Sequence, residues 1–80
     1  MNYTLTITIT LREGILDPEA RAIQHALANL GFRTEKLTTA RVFSIHLDAP
    51  SEEEAKAAGA KMCERLLANP VIHTYRVEVG

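Results

Sequence analysis

The residues of this chain whose types could carry chemistry are His25, His46, His73, Cys63, the carboxylate run Glu52, Glu53 and Glu54, and Arg12 ahead of Gly14. Zinc needs ligands grouped at helical or turn spacing, such as two histidines at i and i+4 or a cysteine pair. The histidines fall on three separate segments with no such pair, so they read as structural or surface residues. Cys63 has no neighbouring base to hold a thiolate, and beside Met62 it reads as a small buried hydrophobe. Consecutive glutamates on a helix fan out over different faces, and the positive end of a helix dipole already accounts for three of them in a first turn. Gly14 and Gly31 lie too far apart for a phosphate-cradling loop. No catalytic residue, metal ligand or cofactor-binding residue is therefore expected in this chain.

The elements that would position these residues are plainly marked. From Tyr3 to Leu11 every odd position is apolar and every even one, Thr4, Thr6, Thr8 and Thr10, is threonine, which predicts a strand with one core face and one hydroxyl face. Asp17 fits the N-cap of a helix and Pro18 its first position. Ala20, Ile23, Leu27 and Leu30 then form an apolar stripe, and Gly31 supplies the left-handed residue that ends it. Arg33 to Thr39 reads as a short polar strand, forming a hairpin with Arg41 to Asp48, where Phe43, Ile45 and Leu47 share a face. Ser51 and Glu54 form a capping box that opens a second helix. Ala55, Ala58, Met62 and Leu66 line its expected buried stripe, Gly59 inside it implies close backbone packing, and Asn69-Pro70 stops it. "VIHTYRVEV" alternates as a last strand.

The order is βαββαβ, so the expected fold is α+β. It is a ferredoxin-like two-layer sandwich, an antiparallel four-stranded sheet with two helices on one face, filling a single domain over residues 1–80. Eighty residues bury only about 60–65% of the surface the unfolded chain exposes, so the core is marginal by size. One cysteine allows no internal disulfide, which leaves a homodimer or higher oligomer as the way to add buried surface. The net charge of −1 supplies no positive field for nucleic acid. No apolar run approaches a membrane span and the alternating start is unlike a signal peptide, so no membrane partner and a cytoplasmic location are expected.

Among proteins of this topology, RNA-binding domains stack bases on aromatics of the open sheet face, where this chain has threonines. Acylphosphatases need an anion-cradling loop around an arginine, and beyond Arg12 that loop is missing. The stretch "REGILD" before a helix ending "LGF" resembles ACT domains, which bind amino acids at subunit interfaces. That resemblance implies a regulatory ligand site near Gly14.

Three longer stretches, "GILDPEARAIQHALANLGF", "SEEEA" and "MCERLLANPVIHTY", resemble the PurS subunit of phosphoribosylformylglycinamidine (FGAM) synthase over nearly the whole chain. The chain departs from that family's usual pattern at Ala40 and Arg41, where relatives carry a glycine and a lysine. The resemblance implies a non-catalytic subunit of purine biosynthesis. As a dimer it brings together a large synthetase subunit (PurL-like), which uses ATP and magnesium to activate formylglycinamide ribonucleotide, and a glutaminase subunit (PurQ-like), which releases ammonia from glutamine. ATP and magnesium then belong to the large subunit. Contacts with the larger partners are expected on the two marked loops, at Arg12, Gly14, Leu16, Asp17 and Pro18 and at Asn69, Pro70, Val71 and Ile72, with Arg41 added. Self-association is expected on the threonine face, Thr4, Thr6, Thr8 and Thr10, or along the polar segment Arg33 to Thr39.

Overall fold

The computed structural model describes all 80 residues. Three strands, β1 (Asn2–Leu11), β2 (Ala40–Asp48) and β3 (His73–Val79), form one antiparallel sheet in the order β2-β1-β3. β1 is central, with Ile7 opposite both Phe43 and Val77. Its alternation does what period two requires. Leu5, Ile7 and Ile9 are buried on one face, and the four threonines stand on the other.

Helix α2 (Glu52–Met62) covers the apolar face. Ser51 Oγ accepts from Glu54 N at 3.2 Å to start it, and one π turn, Cys63–Leu67, ends it. The line it buries is Ala55, Gly59 and Cys63, one residue every turn. The stripe expected from the sequence is therefore rotated. Ala58 and Met62 are half-exposed, and Leu66 keeps 83% of its surface in water. Gly59 explains the rotation, because a Cβ there would meet methyl carbons of Val77 at 2.9 Å and Leu5 at 3.0 Å. The helix backbone sits on the sheet at the one position without a side chain.

The expected four-stranded sheet is corrected to three strands. Residues 33–39 form no strand and pair with nothing in the sheet, and β2 pairs with β1 instead of closing a hairpin with them. The reason is local. The segment is polar and lacks a tight-turn sequence, and it is held against the preceding helix, with Gln24 Nε2 donating to Thr34 O at 2.9 Å.

The expectation of two helices on one sheet face is corrected with it. Helix α1 (Pro18–Asn29) adds nothing to the core cluster, and Ala20 is its one buried residue. With residues 31–39 returning beside it, α1 forms an arm held away from the sheet. The molecule measures 51 × 24 × 16 Å, with a radius of gyration of 16.0 Å. A compact chain of this length has about 12 Å.

Candidate functional site

The arm is well built despite its isolation. Asp17 caps α1 by accepting from Ala20 N at 3.0 Å, and Gly31, at φ +98°, ends it in a Schellman motif. There Phe32 N donates to Leu27 O at 2.9 Å and Gly31 N to Ala28 O at 3.0 Å. Thr39 Oγ1 donates to the other oxygen of Asp17 at 2.7 Å, tying the two roots of the arm together. The bond from Ala20 N, and after it that from Thr39, holds the Asp17 carboxyl below its ordinary value.

The two loops singled out in the sequence, 58 residues apart, meet at one end of the sheet. Arg12 donates to Pro70 O through Nε at 3.2 Å and Nη2 at 3.0 Å, and its backbone N donates to Ile72 O at 2.8 Å. Gly14, at φ +85°, is the third residue of a turn closed by Ile15 N donating to Arg12 O, a position that favours glycine. Asn69 folds the other loop. Its Oδ1 accepts from Val71 N at 3.0 Å, its carbonyl from His73 N at 2.7 Å, and its own N donates to His73 Nδ1 at 2.9 Å.

Asp17 and Arg41 border a shallow cavity of about 220 Å³ at the same end, with His73 beside them. The Arg41 guanidinium lies 5.2 Å from the centre of the Phe43 ring. A second cavity of about 510 Å³ lies between the Arg12 to Asp17 loop and residues 36–39. Leu16, on the wall of that cavity, is 61% exposed, and Val71, on the other loop, is 76% exposed. The structure thus joins Arg12, Gly14, Leu16, Asp17, Pro18, Arg41 and Asn69 to Ile72 into one end surface. Sequence spacing alone could not have made that junction.

The threonine face lies elsewhere. Thr4 bonds His46 Nδ1 and Thr10 bonds Thr74, each at 2.9 Å, while Thr6 and Thr8 make no side-chain bond. Of the other reactive types, His25 stands exposed on the arm. Burial, reinforced by the neighbouring Glu64 carboxylate, pushes the Cys63 thiol up, away from thiolate character.

Sequence reasoning missed one feature on the helix side of the sheet. Because α2 is rotated and α1 does not cover the sheet, a nearly wholly apolar groove of about 540 Å³ opens beside Ile45, Ala58, Met62, Leu66 and Leu67. The signal that could have found it is the apolar excess of Ala58, Met62 and Leu66; a regular α-helix would put Leu66 on the line of Gly59 and Cys63, and the π turn Cys63–Leu67 carries it off that line.

A three-stranded sheet covered by one helix, with a second helix carried on an arm and two bonded loops at one end, defines a small α+β module. Residues 4–80 match the family model described as PurS, phosphoribosylformylglycinamidine (FGAM) synthase. The chain is 50% identical over 72 residues to the FGAM synthase subunit PurS of Archaeoglobus fulgidus, covering 89% of this chain and 90% of that one. It is similar to the crystal structure of Methanocaldococcus jannaschii PurS, with a TM-score of 0.87 and 42% identity over 98% of this chain and 95% of that one. A chain in the PurLQS structure from Thermotoga maritima aligns over 100% of this chain and 99% of its own, with a TM-score of 0.90 and 27% identity. The chain belongs to the PurS family, the small subunits of FGAM synthase in purine biosynthesis.

Proposed function

We propose that the chain is a non-catalytic subunit of FGAM synthase that joins the ATP-dependent synthetase subunit to the glutaminase subunit, so that ammonia released from glutamine reaches formylglycinamide ribonucleotide. The observation that carries this reading is the end-to-end alignment with a chain of the PurLQS assembly. The chemistry of the chain agrees with it. Its one cysteine is a buried, protonated thiol and its histidines are dispersed.

In this reading ATP and magnesium are bound by the synthetase and this chain binds no cofactor. It works in the cytoplasm as a homodimer, without nucleic acid or membrane. No helix is long and apolar enough to cross a membrane, and the charge of −1 offers nothing to a polyanion. The end surface around Arg12 and Asn69 contacts the larger subunits. Arg12 and Asn69 hold the two loops in shape, and Leu16 and Val71, an exposed apolar residue on each loop, make the contact.

The test is FGAM formation by the two larger subunits with glutamine or ammonium as nitrogen donor. Glutamine-dependent turnover should require this chain while ammonium-dependent turnover persists without it, and equal glutamine turnover in its absence would refute the proposal. Leu16→Glu combined with Val71→Glu should abolish the glutamine-dependent rate without unfolding the chain. An unchanged rate would remove that end from the interface.

A further inference from the structure

The three histidines stand in three different settings. His25 is exposed on the arm. His46 Nδ1 faces Thr4 Oγ1 at 2.9 Å, and because a hydroxyl can donate or accept, that pair survives protonation of the ring. His73 has no such freedom. Its Nδ1 accepts from the backbone N of Asn69 at 2.9 Å, and an N–H can only donate. The bond therefore exists only while the ring is neutral, with its proton on Nε2.

This bond closes the turn from Asn69 to Ile72. His73 N also donates to Asn69 O at 2.7 Å, and Asn69 Oδ1 accepts from Val71 N at 3.0 Å. Arg12 fastens the same turn from outside, through its side chain to Pro70 O and its backbone N to Ile72 O. An imidazolium carries a proton on both nitrogens, so protonated His73 sets N–H against N–H at Asn69. The charged groups facing the ring are Asp17 and Glu19 from the start of α1, Arg41 from β2, and Arg12 from the end of β1. Two carboxylates and two guanidiniums leave the local charge near balance, and the Asn69 bond is what separates the two protonation states.

We propose that His73 is a proton-sensitive latch on the partner-binding end: neutral, it holds the Asn69 to Ile72 turn in its contact shape, and protonated, it releases that turn and weakens assembly with the larger subunits. The proposal rests on the end surface being the contact with those subunits. An imidazole changes charge between about pH 5 and 8. Since the bonded state excludes the proton, affinity is full above that range and is lost as the pH falls through it. Asp17, whose carboxyl is held below its ordinary value, stays ionised throughout and does not contribute.

Heteronuclear NMR of the whole chain reads the latch directly and needs no variant. Between about pH 7.5 and 5.5, the amide signals of Asn69 and Val71 should move in step with the Nδ1 signal of His73. Affinity for the two larger subunits should fall about fivefold over the same range, the worth of one hydrogen bond. His73→Asn keeps an acceptor near the Nδ1 position and cannot titrate. Its affinity should match the wild type at the upper pH and fall markedly less, whereas protons taken up by the larger subunits affect both chains alike. Amides that stay still while Nδ1 gains its proton overturn the latch. Moving amides with equal losses of affinity in wild type and His73→Asn overturn its link to assembly. In that second case Leu16→Glu with Val71→Glu, measured at the upper pH, tells the failures apart: weakened binding keeps the end surface and removes only the role of His73, and unchanged binding removes the end surface as well.

Discussion

The two halves of this molecule are built by different means. In the sheet half, Leu5, Ile7 and Cys63 are completely buried, and the helix above them touches the sheet through Gly59. In the arm half, α1 has a proline start, an aspartate cap and a full Schellman end, yet it buries one alanine. Capping is worth roughly a kilocalorie per terminus, whereas burying a leucine is worth about twice that or more. The sheet half is held by burial. The arm is held by its ends and its roots, and its apolar stripe is unspent within the chain.

Unfolding experiments can break that contrast. Leu5→Ala should cost about 3 kcal/mol in urea titration, because the cavity opens under α2 with nothing able to fill it. Gly59→Ala should be next, destabilising by about 1 kcal/mol net, since the clash with Val77 and Leu5 outweighs the better helix propensity of alanine. A more stable Gly59→Ala protein would mean that α2 does not rest on that glycine.

At the root of the arm the sign follows from the lowered carboxyl of Asp17. In the folded chain it stays ionised below the ordinary value of 3.8. The unfolded chain therefore takes up that proton first, and stability is lost as the pH falls below about 4 and through the folded value. Asp17→Asn keeps a capping oxygen and cannot titrate, so its stability should fall less steeply over that window. Equal slopes in the two proteins would remove Asp17 from the acid response. The smallest effect belongs to the arm stripe itself. Leu30→Ala, at concentrations where the chain is monomeric, should change stability by less than about 0.5 kcal/mol. A loss matching that of Leu5→Ala would show that the arm packs on its own sheet.

Much of this was legible in the residues. The alternation of Tyr3 to Leu11, the cap at Asp17, the stop at Gly31, the cap at Ser51 and the close packing at Gly59 all stand where local chemistry puts them. Each is decided within a few residues. The strand read into 33–39 failed because a short polar segment does not by itself supply a sheet partner, and that backbone runs beside Gln24 instead. The buried face of α2 was read a part-turn wrong, since apolar residues lie on more than one side and a glycine decided which side met the sheet. The loop residues were singled out for their types, while Arg12 reaching Pro70 across 58 positions was invisible to spacing.

By itself the sequence determined three of the strands, the two helices with their caps at Asp17 and Ser51, and a family likeness carried by "GILDPEARAIQHALANLGF" and "MCERLLANPVIHTY". Those features depend on capping bonds, backbone conformation and residue type at nearby positions. Only the tertiary structure decided that the sheet has three strands, that α1 stands away from it, that an apolar groove lies open beside α2, and that two distant loops share one end. Local patterning states that a face must be covered. What covers it depends on geometry between segments far apart in the chain, and no short-range rule contains that.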